Sequence, residues 1–549
     1  MQLHQLTNQK YLHKMNTLTN NTRQLTDRLL KGVACLAATL ILAYTNNTWA
    51  QTPFLAWERC YGGNSNEYVN RIINTNDGGF LMLADTESGT NGDINCPARL
   101  YRSYKIWLAK LDSNRNIIWK KCIAGTQGSD VGAGIIEANN GDIILLGSVY
   151  KDTLRFPQHR GNADVFVTRL TSTGNTIWEK TIGGTDEDYA GDLCFADTSQ
   201  TTIAIVASSK STNHDFAAIP YSAPDPRAIF IKINAATGNI TYKARLGYLL
   251  SDDLHFTKIS LTNDGGFLVS GLAGLWTPLG VVVKLDSSNT MLWGKSIRCQ
   301  LSSYQVRLED HVLLPNGDVL VVGQTNAPPT DPLIVGAHGN YDGLAIKLNG
   351  QTGNTIWQRC YGTASQELFL GIALNSSGTE AIIGGSASIN PPNLKAWIVK
   401  IDLTTSDILW QINHGFGTND KIIKILVKGS QIYGFGETNG SSPNQHGALD
   451  VWLTNYQIAT TINQNSTQNL QIQTLSQGVY KINLTQNDPQ FPLPKGVRGI
   501  ATITDALGQT IRQINIDQNT NTFDIDLTQY AKGIYFLNIK GYKTIKITR

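Results

Sequence analysis

Residues 164–184 read DVFVTRLTSTGNTIWEKTIGG. Val165, Val167 and Leu170 alternate with polar neighbours, as a half-buried strand requires. A polar turn containing Gly174 follows, and a second strand runs through Ile177 and Trp178. The pair Gly183-Gly184 ends the unit. This is a β-hairpin, and the same sentence returns along most of the chain.

The tryptophan is the ruler. It stands at Trp57, Trp119, Trp178, Trp293, Trp357 and Trp410, with Tyr242 in the remaining slot. Spacings of about 50 to 65 residues fall in the range of propeller-type repeats. A glycine-rich turn follows each ring except Trp293, where Arg298-Cys299 stands instead. Next come an alternating strand (69–74, 368–374), a tight turn such as Asn76-Asp77-Gly78-Gly79, and a very apolar strand such as 80–83 or 319–322. Asn-Gly and Asp-Gly supply the positive φ of hairpin turns. The apolar runs fit strands buried on both faces. A variable loop then leads to the next hairpin.

Four strands per unit and seven units predict an all-β fold: a seven-bladed β-propeller over 51–457. Strand 54–61 has no partner before it, and the last unit stops at 451–456 without its own Trp strand. Pairing the two would leave neither edge open, so the N-terminal strand is expected to close the last blade. The Trp rings are expected between neighbouring blades, in a structural role.

At 549 residues the chain exceeds one ordinary core. Hydrophobic residues make up 41%, charged residues 16%, and there are 51 glycines, a mix suited to short strands and many turns. A net charge of +3 gives no reason to expect nucleic acid as a partner. Residues 1–50 read as an export signal: a basic lead, an apolar run over 32–44, and Thr48-Trp49-Ala50 as a cleavage site. Met15 offers a second start, and an uncleaved anchor is the alternative. No transmembrane segment is expected after cleavage. Six cysteines remain beyond Cys35; the sequence does not fix their connectivity, and Cys96 with Cys122, inside one repeat, is the one pair it suggests.

The pattern W-x-K-x-x-G-G, then D-G-G-F, then H-G-x-x-D ahead of V-W-L-x-K-L-D resembles the propeller-like repeats of exported Bacteroidetes proteins, over about 57–456. It is more distantly similar to the tryptophan-docked blades of quinoprotein dehydrogenases. After a polar linker, 458–469, strands recur at 470–472, 479–484, 499–504, 510–516, 522–525, 534–539 and 544–547, which predicts a small β-sandwich over 470–549. ITDALGQ at 503–509, Asp526-Leu527, KGIYFL at 532–537 and the basic end at 543–549 resemble the C-terminal sorting domain of type IX secretion. The Asn-Pro common at the start of that family is absent. The sorting motif falls on Gly533, Tyr535, Lys543, Lys546 and Arg549. The resemblance implies the type IX machinery as a partner and a mature protein that is extracellular or on the outer-membrane surface. Asp152-Thr153-Leu154 resembles the O-glycosylation motif of these bacteria.

Catalytic signatures are absent: no G-x-S-x-G, H-E-x-x-H, P-loop or EF-hand loop occurs. Glu67, Asp130, Asp188, Asp252, Glu367 and Asp420 recur just after the glycine turns. A cation site is one reading. The repetition favours another, in which each carboxylate binds backbone N–H groups of its own turn. His159, His338 and His446 precede Asp164, Asp342 and Asp450, with a loop role expected. Glu309-Asp310-His311 is the one acid–histidine cluster outside the pattern, and a buried, satisfied histidine is expected there. What breaks symmetry is the loop between second and third strands. It carries Tyr101, Arg102 and Tyr104 in the first unit, Arg155 and Arg160 in the second, Tyr221 in the third and Trp276 in the fourth, and these are the candidate ligand-binding residues. The function read here is a secreted or surface binding module for a glycan or protein, with no catalytic residues, metal or cofactor assigned. The alternatives are an extracellular glycan- or peptide-cleaving enzyme with its site at the channel mouth, and a quinoprotein-like dehydrogenase.

Overall fold

The computed structural model describes residues 52–98, 103–126, 128–150, 152–217, 219, 227–246, 254–274, 278–390, 393–440, 445–458, 470–476, 479–484, 499–505, 509–516, 522–531, 533–539 and 545–548. The expected export signal lies outside them. No α-helix occurs among the described residues, so no helix there is long and apolar enough to cross a membrane.

Among the described residues, seven four-stranded antiparallel sheets lie between Phe54 and Gln457. Sheet 1 is Glu67–Asn74, Phe80–Thr86, Lys105–Leu111 and Ile117–Ile123. Sheets 2 to 6 repeat this order, beginning at Val131–Glu137, Asp188–Phe195, Leu254–Leu261, Val306–Leu313 and Glu367–Leu374. Sheet 7 takes Lys421–Lys428, Gln431–Thr438 and Asp450–Gln457 from the end of the unit and Phe54–Tyr61 from its beginning. Phe54 pairs with Gln457 and Tyr61 with Val451. The first strand of each sheet touches the first strands of both neighbours, and Glu67–Asn74 touches Lys421–Lys428, so the order closes on itself.

Burial follows the sequence pattern. Phe80–Thr86 and Lys105–Leu111 are buried at every position, as middle strands covered on both faces should be. The fourth strands are half-exposed, and their ring residue does the joining. Trp119 Nε1 donates to Ser172 O of the next sheet at 3.0 Å, Trp178 to Ala235 O at 3.1 Å, Trp293 to Gly350 O at 3.1 Å and Trp357 to Leu403 O at 3.2 Å. Each acceptor lies in the turn between the next sheet's third and fourth strands. A residue of that turn has positive φ: Gly174, Gly238 and Gly353, but also Arg115, Asn289 and Ser406. A side chain at Gly353 would strike the Trp293 ring, so glycine there serves both backbone and packing.

The latch changes at the seam. Trp57, on the closing strand, has the guanidinium of Arg115 over its ring at 4.1 Å. Trp410, in sheet 6, faces sheet 7, which has no such turn because its third and fourth strands belong to opposite ends of the unit. Its ring is buried against Tyr456, Leu55 and Ile458, and its Nε1 has no acceptor. Tyr242 pairs across its sheet with Lys232, as Trp178 does with Arg169, and so occupies the tryptophan slot. Cys96 and Cys122, the pair suggested by their place in one repeat, are bonded, tying the long loop of sheet 1 to its outer strand. Cys194, Cys299 and Cys360 are free thiols.

Residues 461–549 form a second compact unit. One sheet joins Leu470–Ser476, Val479–Leu484 and Thr522–Asp526; another joins Thr510–Ile516, Gly499–Asp505, Ile534–Ile539 and Ile545–Thr548. Both contribute to one core that includes Ile482, Ile503, Ile525, Leu537 and Ile547.

Replacing the indole by phenyl separates the latch from simple burial. Trp178→Phe loses a hydrogen bond and is expected to cost about 1 kcal/mol more than the change in packing alone. Trp410→Phe loses no such bond and relieves an unpaired donor, so it should destabilise less. Urea titration followed by circular dichroism checks the order, and equal losses would contradict the latch.

Candidate functional site: an axial cavity

Each first strand shifts register once, at the same place: between Val69 and Arg71 in sheet 1, and likewise through Ile422 and Lys424 in sheet 7. A β-bulge re-aims the extra residue. The bulged residues, Asn70 and its counterparts through Ile423, are half-buried, and all of them line one cavity of about 420 Å³.

The residue after each bulge forms a charged column unlike the apolar strands around it. It is Arg71, Lys258 and Lys424 in sheets 1, 4 and 7, Asp192 and Asp310 in sheets 3 and 5, and Gly134 and Gly371 in sheets 2 and 6. The glycines let ion pairs cross them. Arg71 reaches past sheet 2 to Asp192 at 2.6 Å. Lys424 reaches past sheet 6 to Asp310 at 3.0 Å. Lys258 stands 3.8 Å from both aspartates. A side chain at Gly134 would strike Asp192 and Leu193, and one at Gly371 would strike the backbone of Ile423 and Lys424.

This floor is electrostatically tight. Burial alone would raise Asp310, but Lys424, Lys258 and Arg71 outweigh it and hold its carboxyl far below the usual range. Burial lowers Lys424, helped by Arg71 and Lys258 and opposed by Asp310. His311 is pushed down to about 3 by burial and the nearby lysines. Its ring nitrogens meet Ser270 Oγ at 2.6 Å and Ser260 Oγ at 3.0 Å, so it is the buried, satisfied histidine expected. Glu309 faces the cavity, raised by burial, with Arg307 at 3.8 Å. Lys421, also in the lining, is paired with Glu437 at 2.9 Å.

The acids after the glycine turns form a girdle around this end of the sheets. Glu67 accepts from Gly63 N, Asp130 from Gly125 N, Asp188 from Gly184 N, Glu367 from Thr363 N and Asp420 from Gly417 N, at 2.7 to 3.0 Å. The turn-binding reading is therefore the correct one for these five; Asp252 lies outside the described residues. Among the described residues no group of three or more His, Cys, Asp or Glu is placed to hold a metal ion. Four of these acids meet a residue near the start of the preceding sheet's third strand. At Asp420 that partner is Lys395, 3.4 Å away. At Asp188 it is Asp164, and a side chain at Gly183 would strike both carboxylates. Asp450 meets Glu67 and Asp342 meets Glu367 in the same way. The three acid–acid junctions are the three that carry the histidine motif. His338 Nδ1 is 2.7 Å from Asp342, His446 Nδ1 is 3.6 Å from Asp450 and His159 Nδ1 is 4.0 Å from Asp164. The histidine loops thus close over buried like-charged pairs.

The variable loops clasp the glycine turns. Asp93 N donates to Gly62 O at 2.8 Å, Thr185 N to Asn213 Oδ1 at 3.0 Å and Gln300 N to Asp331 Oδ2 at 2.9 Å. Of the residues singled out in these loops, Tyr104 packs edge-on against Tyr68, ring centres 5.3 Å apart. Arg155 is held by Glu179 at 2.9 and 3.1 Å. Arg160 is held by Asp215 at 2.5 Å and Gly183 O at 3.2 Å. Both guanidiniums are engaged within the chain. Tyr101, Arg102, Tyr221 and Trp276 lie outside the described residues. Thr153 is exposed.

Residues 495–549 match the family described as Secretion system C-terminal sorting domain. The chain carries a type IX secretion sorting domain. That domain implies handling by the type IX machinery and export to the cell surface or the extracellular space. Within it, Tyr535 is buried and its hydroxyl donates to Ala531 O at 2.6 Å, just beyond Gly533. Lys546 lies on Ile545–Thr548; Lys543 and Arg549 fall outside the described residues. The chain has no match among curated proteins. Solved structures with similarity include a europium-containing methanol dehydrogenase (TM-score 0.41, 11% identity, 75% of this chain and 94% of that one). A protein of unknown function from Dyadobacter fermentans DSM 18053 follows (0.41, 12%, 74% and 99%), with Kuenenia stuttgartiensis hydrazine synthase (0.40, 9%, 69% and 94%). The arrangement of sheets rests on strand pairing and not on these similarities.

The acid–acid junctions make stability depend on pH. Burial pushes Asp188 up to about 6, with Asp164 adding to the rise against hydrogen bonds from Ser209, Gly184 and Ser211. A carboxyl raised in the folded state gives its full stability below the unfolded value, about 4, and loses it as pH rises through 6. Asp188→Asn should therefore gain on the native protein by about 3 kcal/mol between pH 4 and pH 7. Thermal midpoints of the two proteins across that range check it, and parallel curves would contradict it.

Proposed function

We propose that this chain is a seven-bladed β-propeller followed by a C-terminal β-sandwich, exported by type IX secretion and acting at the cell surface or outside it as a binding module. The axial cavity is its binding site. The observation that carries this reading is the charged column. Buried ionic groups cost stability unless they are paired, and here they are concentrated under the one cavity that all seven sheets line. The variable loops border the same end of the sheets, and Tyr104 extends the surface offered to a larger glycan or protein.

The hydrolase alternative is less well supported. Glycoside hydrolysis takes two carboxyl groups facing one bond. Among the described residues Glu309 faces the cavity, while Asp192 and Asp310 are neutralised by Arg71, Lys258 and Lys424.

The test is an array of surface glycans and proteins probed with the purified exported chain. Binding is expected, and Tyr104→Ala should weaken it tenfold or more while leaving the thermal midpoint within a few degrees. Turnover of a glycan or peptide, abolished by Glu309→Gln, would replace this reading with the enzymatic one.

A further inference from the structure

The column under the cavity is one charge short. Around the ring it runs Arg71, glycine, Asp192, Lys258, Asp310, glycine and Lys424, so three cations meet two anions. Inside the sequence every cation lies beside or across a glycine from an aspartate. At the junction of sheets 7 and 1 the order fails, because Lys424 and Arg71 stand on adjacent strands with no acid of the column between them; the acid of that junction, Glu437, is taken up by Val69 N at 2.9 Å and Lys421 at 2.9 Å. Burial lowers Lys424, and Arg71 adds to the fall.

The surroundings of this junction fit a guest. Both side chains line the cavity and keep some exposure, 10% for Arg71 and 14% for Lys424. Asn70 lies beside them in the lining, with its amide against the Asp85 carboxyl. Lys421 lies on the same strand as Lys424, and its charge is met by Glu437. Glu309, also in the lining, belongs to sheet 5 and is met by Arg307 at 3.8 Å and by the Gln324 amide at 3.4 Å. A buried cation pair stabilises a charged acceptor far more than water-exposed lysines would.

We propose that the axial cavity binds a small oxyanion, a phosphate or a carboxylate, between Arg71 and Lys424. The anion is the missing third negative charge of the ring. Arg71 offers the nitrogens not used by Asp192, and Lys424 divides its ammonium between Asp310 and the guest. This inference rests on reading the axial cavity as the binding site and names the chemistry it takes.

Isothermal titration of the exported chain with inorganic phosphate, and separately with sodium glucuronate, tests it against sodium chloride at matched ionic strength. Saturable one-to-one binding to either oxyanion, and not to chloride, is expected; the stronger arm tells which source of negative charge the cavity prefers. Two variants locate the site. Lys424→Met should weaken binding tenfold or more. Ile423→Glu places a carboxylate in the lining beside Lys424, so it should abolish binding and remove any rise of the thermal midpoint with phosphate. No binding above chloride by the native protein overturns the proposal, as does undiminished binding by both variants with native circular dichroism. If the array still yields a ligand sensitive to Tyr104→Ala, the oxyanion inference falls alone. If the array yields none either, the binding-module reading falls with it.

Discussion

Phe54–Tyr61 and Asp450–Gln457 are the two ends of one ring, and their antiparallel pairing is the constraint from which the rest follows. A twisted four-stranded sheet buries its middle strands only if both of its faces are covered. Six sheets meet that need with chain drawn from a single unit. The seventh meets it by borrowing a strand, and every consequence of the seam traces to the missing turn. Trp410 lacks an acceptor because the turn that would supply it does not exist. On the other side of the seam, Trp57 is covered by Arg115.

Closure also decides where charge can go. Positions that recur around a ring bring equivalent side chains together at its axis, so a charge in one sheet is within reach of charges two sheets away. Glycine at Gly134 and Gly371 makes that reach possible, by leaving room for Arg71 and Lys424 to pass. Farther from the axis the same logic gives the girdle, where each carboxylate binds the amides of its own turn. Three of its junctions bring two acids together and add a histidine, and one sets Lys395 against Asp420. The girdle holds the turns; the column shapes the cavity floor.

Much of this was legible in the chain. The Trp ruler and the Asn-Gly and Asp-Gly turns mark strands and connections, because periodicity and positive φ are local properties. The incomplete first and last copies are visible as such, and the strands they contain lie side by side. Cys96 and Cys122 were legible as neighbours within one repeat, and the sorting domain by its ordered motifs. The girdle acids were read for what they are because they repeat. The cavity was not legible. Its lining is set by a bulge, which the sequence does not announce, and its charges pair across sheets more than a hundred residues apart, as Arg71 and Asp192 do. A signal existed nonetheless: aligning the seven first strands puts Arg, Lys, Asp and Gly into one column of otherwise apolar segments. The loop residues were chosen for their chemistry alone, and Arg155 and Arg160 prove to be engaged by Glu179 and Asp215.

The central claim is that the chain closes on itself in a defined register, and a cross-link at the seam tests it most directly. Phe54 and Gln457 face each other at the end of the closing pair. In the exported chain carrying Phe54→Cys and Gln457→Cys, mild oxidation should join the two positions within one molecule. Migration under non-reducing conditions should become faster, and the thermal midpoint should rise, since a bond closing so long a loop stabilises by about 2–4 kcal/mol. Cross-linking only between molecules, or none in the folded protein, would contradict the account.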